Sequence, residues 1–116
     1  MVPLSYIIID PLSSFASDDE IHRILVLLKE CGYAGVELNL TDPPGIDLDR
    51  LEGWLTELGL VVPSILSGGA YAEGLCLASP ERDVRRRTVE RLIGYLETAQ
   101  RFGAILIVGL LQGLAQ

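Results

Sequence analysis

Three helix-period apolar stretches in this chain each stop at a glycine, and each glycine is followed almost at once by a short β-rich run. The stops are Gly32 before Val36-Glu37-Leu38, Gly59 before Leu60-Val61-Val62, and Gly103 before Ala104-Ile105-Leu106-Ile107-Val108. No room remains for a loop between helix and strand. The strand-to-helix connections are much longer: Asp10 to Ser17, Asn39 to Ile46, and Ser64 to Ser79. Tight turns at one end of a parallel sheet and roomy ones at the other mark a βα repeat whose long loops carry the site.

The pattern predicts four strands and three helices. Leu4 to Ile9 is nearly all apolar, as for a parallel strand covered on both faces. Ser17-Asp18-Asp19-Glu20 has the form of a capping box, and Ile21, Ile24, Leu25, Leu28 and Cys31 follow at helical spacing. Gly35 to Leu38 is the second strand, followed by a loop containing Pro43-Pro44-Gly45. Asp47 caps the second helix, with Ile46 as a staple and Leu48, Leu51, Leu55 and Leu58 as its buried stripe. Leu60 to Leu66 is the third strand, in which Pro63 requires a strand end or a bulge. Ser67 to Gly74 reads as a functional loop, and Ser79-Pro80 as the start of the third helix, with Val84, Thr88, Leu92, Leu96 and Ala99 inward. Ala104 to Val108 is the fourth strand. Such alternation implies a parallel α/β sheet with right-handed crossovers, either a small open sheet or half of an eight-stranded barrel.

Composition narrows the partners. The 116 residues carry a net charge of −7, which offers no footprint for nucleic acid, and charges interrupt every apolar run short of a membrane span. Met1-Val2-Pro3-Leu4 lacks the basic region of a signal peptide, and the expected location is the cytoplasm. Cys31 and Cys76 read as free thiols. A response-regulator receiver is disfavoured: Ser64 stands near the place of its phosphorylatable aspartate, and Lys29 is the only lysine.

Four segments resemble the sugar phosphate isomerase/epimerase family, in the family's order: Gly32-Tyr33-Ala34-Gly35-Val36-Glu37-Leu38, Ala70 to Leu75 ahead of Ser79-Pro80, Val84 to Leu92, and Phe102-Gly103-Ala104 leading to Ile107-Val108-Gly109. The resemblance implies a xylose isomerase-like (β/α) barrel, of which residues 1–116 are the N-terminal half, since a whole barrel takes roughly 250 residues. It implies metal-dependent isomerisation or epimerisation of a sugar or sugar phosphate. The family's divalent cation is held mainly by carboxylates and histidines of the later strands, so no cation is expected on this chain alone. The other expectation is a non-catalytic half-barrel that dimerises or binds a partner. Abasic-site nucleases with related barrels carry histidines after strands three and four, where this chain has Ser64 to Ser67 and Gly109 to Gln112.

The candidate substrate contacts lie at the strand ends. Glu37 matches the acidic residue of the family's glycine-rich second-strand motif, as a pocket residue or as a brace behind it, and Asn39 follows two positions on. Asp10 after the first strand could orient a hydroxyl or simply form a turn. Ser67, with Gly68 and Gly69, offers backbone N–H groups to a phosphate. Gln112 points at the same mouth from the loop after the fourth strand. Arg85-Arg86-Arg87 and His22 read as solvated surface, Trp54 as packing, and Lys29 as too far from a strand end for a Schiff base.

Half a barrel has two unpaired edges and an inner face without its complement. At roughly 25 cal/mol per Å², several hundred Å² of uncovered apolar surface costs on the order of 10 kcal/mol. The chain is therefore expected to self-associate, most simply as a two-fold dimer.

Overall fold

The computed structural model describes residues 3–41 and 46–113; the Pro43-Pro44-Gly45 loop lies outside the described residues. The strands are β1 (Ser5–Ile8), β2 (Gly35–Asn39), β3 (Ser64–Leu66) and β4 (Ile105–Ile107). Between them run helices α1 (Asp18–Glu30), α2 (Leu48–Leu58), α3 (Gly68–Ala72) and α4 (Arg82–Phe102), with 3-10 turns at Leu12–Ser14 and Gly109–Gln112. All strand pairs are parallel and the order is β1-β2-β3-β4, the α/β half-barrel arrangement.

The glycine stops work through local backbone chemistry. Gly59 and Gly103 take φ 67° and 66° as left-handed helix caps, and Leu60 N–H and Ala104 N–H return to Leu55 and Ala99 carbonyls at 2.9 and 2.8 Å. Each chain end is thereby turned directly into its strand. Ser17 Oγ accepts from Glu20 N–H at 3.2 Å, while the Glu20 carboxylate accepts from Ala16 N–H, one residue upstream of the usual box partner. Asp47 Oδ1 accepts from the N–H groups of Asp49 and Arg50 and caps α2.

Several expectations are corrected. Residues 68–72 of the expected loop form a fourth helix, α3, despite two glycines. Packing overrides its poor propensity, because Ala70, Leu75, Tyr95 and Leu111 bury one another in a second small core. The long helix begins at Arg82 rather than at Ser79-Pro80: Ser79 Oγ accepts from Glu81 N–H at 3.1 Å in a local turn, and Arg85 ties down the carbonyls of Ser79 and Pro80. Tyr95 is buried on α4 where Leu96, 54% exposed, was expected; Cys31 is also exposed. His22 is half-buried and stacks on Trp54 at 4.7 Å, with Arg50 on the same indole, so the pair fastens α1 to α2. β1 is an edge strand with only Ile8 buried, not a strand covered on both faces.

The three long helices pack on one face of the sheet. Ile21, Leu25 and Leu28 of α1, Leu51 and Leu55 of α2, and Ala99 of α4 share a core with Ile8, Val36, Leu38 and Ile65. Alternation along the strands sends Ser5, Ile7, Glu37, Asn39, Ser64, Ile105 and Ile107 to the opposite, open face. No described helix carries buried side chains of that core to this second face.

Pro63 sits at a bulge. Gly35 pairs with Val61, but Leu38 pairs with Ile65, so three steps on β2 are matched by four on the facing chain. The extra residue reverses the alternation. Val62 and Ile65 both enter the helix-side core, and Ser64 turns to the open face.

Candidate functional site

At the centre of the open face lies a carboxylate between two hydroxyls. Ser64 Oγ donates to Glu37 Oε1 at 2.6 Å, and Ser5 Oγ donates to Glu37 Oε2 at 3.3 Å. Three adjacent strands each supply one group. The arrangement depends on the backbone: register places Ser5 opposite Gly35, diagonal to Glu37, and the Pro63 bulge brings Ser64 to the same side. Ser64 is 2% exposed whereas Glu37 is half-buried, so the carboxylate remains reachable from the open side.

The candidate residues divide between this patch and its surroundings. Asn39 ends β2 on the same face and is 8% exposed; its Nδ2 donates to Ile9 carbonyl at 2.7 Å, and its Oδ1 is buried without a hydrogen-bond partner among the described residues. Ser67 is buried and spends its hydroxyl on β4: Oγ lies 2.6 Å from Ile107 carbonyl and 3.2 Å from Val108 carbonyl. Its chemistry here is to join the end of β3 to that of β4, and Gly68 and Gly69 beside it belong to α3. Asp10 is exposed and lines a groove of about 570 Å³ beside β1 and α1, away from Glu37. Gln112 is exposed in the turn that packs on α3. Glu37 and Asn39 thus share a face, while Asp10, Ser67 and Gln112 serve three separate places.

Ser5 and Ser64 were not singled out from the sequence. Serine in a strand carries no signal by itself, and Ser64 reaches Glu37 only because of the bulge. The one available cue was Pro63, which announces an irregular strand without saying which neighbour it re-aims.

The arrangement is an acceptor site. A half-exposed carboxylate takes hydroxyl donors, and a ligand hydroxyl can compete with the longer Ser5 contact more readily than with the short Ser64 one. The charge of the arginine run is engaged elsewhere: Arg86 and Arg87 pair with Asp83, lowering its carboxyl below the ordinary carboxylate range, chiefly through the Arg86 hydrogen bond. Among the described residues no three His, Cys, Asp or Glu side chains converge, and each Glu37 oxygen already accepts a serine hydroxyl.

No protein-family model matches the chain, and no curated protein matches it. No helix among the described residues is long and apolar enough to cross a membrane.

Proposed function

We propose that the chain is the N-terminal half of a sugar phosphate isomerase/epimerase-like barrel and that Glu37 binds a hydroxyl of a sugar or sugar phosphate on the open face. The observation that carries this reading is the Ser5–Glu37–Ser64 group, a carboxylate held by two hydroxyls on the face that would line a barrel interior. A polyol presents several O–H donors at close spacing, and the Glu37 side chain held by Ser64 offers oxygens that accept them. Asn39 adds an amide at the C-terminal end of the same strand, where parallel barrels keep their ligands. The cysteines are both free, in keeping with a cytoplasmic protein.

In this reading Glu37 orients the sugar, and Ser64 fixes the carboxylate against β2. The moving of a proton between adjacent sugar carbons needs a second acid–base group opposite the first. Glu37 has no carboxylate, histidine or lysine partner within hydrogen-bonding distance on the described open face. The isolated chain therefore binds without turning over. Calorimetry with glucose 6-phosphate tests the reading: saturable binding should weaken at least about tenfold, or about 1.4 kcal/mol, in Glu37→Gln. Binding that survives this substitution unchanged, or no binding at any soluble concentration, would overturn it.

A non-catalytic half-barrel is the second reading, favoured by the exposed Ile7, Ile9, Ile105 and Ile107 that flank the polar group. Saturable sugar phosphate binding that Glu37→Gln weakens would exclude it.

A further inference from the structure

The two ends of the sheet are unpartnered in complementary ways. On the open face the β1 edge exposes Ile7 and Ile9, and the β4 edge exposes Ile105 and Ile107, with Ile9 at 75% and Ile105 at 67%. The helix side repeats this at both ends. On α1, Leu27 is exposed on the flank away from α2, the side opposite the Arg50–Asp18 contact and the His22–Trp54 stack. On α4, Val89, Ile93 and Leu96 recur at i, i+4 and i+7, and all are exposed. At about 100° per residue they lie roughly a quarter-turn from the buried Thr88–Tyr95–Ala99 line. Arg101, which reaches Asp49 and Glu52 of α2, lies on the other side of that line. Both outer helices therefore turn apolar flanks toward places where a ring of helices would continue.

We infer that these surfaces are one interface, and that its occupant is a second copy of this chain. The partner's β1 would run parallel beside β4, and β4 of the partner beside β1. Each copy offers one edge of each kind, so a two-fold axis supplies both with a partner and leaves no edge over. Inside the seam, isoleucines meet isoleucines; outside it, the α4 stripe approaches the partner's α1 flank. Charge is matched in the same orientation. In such a ring the helices run parallel with N-termini at one rim. The α4 flank opens with Arg82, which has no partner among the described residues, and the α1 flank opens with Glu20, one of whose carboxylate oxygens is bonded only to Ala16 N–H. At roughly 100 Å² each, the eight exposed apolar side chains on the edges and flanks amount to about 800 Å² per copy, comparable to the ~800 Å² per partner of a standard interface. A typical monomer's largest apolar patch is ~300–600 Å². The inference stands apart from the sugar reading, because it uses the edges and flanks and not Glu37.

Sedimentation equilibrium with two edge variants tests it. The wild-type chain should sediment as one species at twice its 12.6 kDa mass. Ile7→Glu on β1 and Ile107→Lys on β4 each damage both seams of a two-fold ring, and each should sediment as a monomer with unchanged circular dichroism. Mixed in equal amounts they should recover the double mass, since the heterodimer contains one undamaged seam and pairs Glu with Lys across the other. A folded wild-type monomer, an open-ended polymer, or a heterogeneous aggregate would overturn the inference. So would dissociation by only one of the two variants, which would indicate an edge pairing with its own kind, or a variant mixture that stays monomeric.

Discussion

Gly35→Ala tests the bulged pairing on which the candidate site depends. An added Cβ would lie 2.9 Å from Val61 carbonyl oxygen and 3.1 Å from Val61 Cγ2, with Pro63 Cδ at 3.4 Å. The first contact is with backbone that cannot swing away, because Val61 carbonyl accepts from Val36 N–H at 2.9 Å and Val61 N–H donates to Ala34 carbonyl at 3.1 Å. Overpacking of this kind costs typically 1–3 kcal/mol, and weakening the two bridge hydrogen bonds adds about 1 kcal/mol. Restricting the unfolded chain returns only ~0.4–1 kcal/mol. The expected net loss is about 2–3 kcal/mol, a large part of a small domain's ~5–15 kcal/mol. Urea unfolding followed by circular dichroism should show a midpoint lower by roughly 1–2 M at unchanged slope. Loss of the pairing should also free Ser64, so that sugar phosphate binding falls with stability. A Gly35→Ala chain as stable as the wild type would refute the argument that β2 and the start of β3 meet without space for a methyl group.

Three further outcomes follow from the same contacts. Ser64→Ala removes the 2.6 Å hydrogen bond to a half-buried carboxylate and should cost about 1 kcal/mol in chemical denaturation, with weaker sugar phosphate binding. Leu25→Ala, at a fully buried core position between α1 and the sheet, should cost about 2–5 kcal/mol in the same assay. The Arg91 hydrogen bond at 2.6 Å holds the Glu73 carboxyl below its ordinary value, so its stabilising contribution is present above the ordinary carboxylate pKa and is lost as pH falls through the lowered one. Glu73→Gln should accordingly flatten the acid side of the stability–pH profile, and an unchanged profile would count against the pair.

The fold was legible where its causes are local. Gly59 and Gly103 end helices through a left-handed cap, a one-residue requirement that needs no knowledge of the rest of the chain. Ser17 and Asp47 cap helices with their own side chains for the same reason. Pro63 announced an irregular strand because a missing donor is visible in the residue type. What stayed hidden depends on packing. The α3 segment contains two glycines and is helical only because Ala70 closes a core with Tyr95 and Leu111, residues distant in sequence. Tyr95 and Leu96 are adjacent on α4, and periodicity could not choose between them, since the helix is apolar on its free flank as well as on its core side. Nor could alternation place Ser64 beside Glu37. A single inserted residue reverses the face of everything after it.

The central claim is a parallel sheet of order 1-2-3-4 with its long helices on one face, and nuclear Overhauser spectroscopy tests it most directly. The expected result is parallel cross-strand contacts between Tyr6 and Val36, Leu38 and Ile65, and Leu66 and Ile107, with methyl contacts from α1, α2 and α4 reaching Val36, Leu38 and Ile65. Side-chain contacts from any of these helices to Glu37 or Ile105, or an antiparallel pattern of Hα–Hα contacts between neighbouring strands, would contradict it.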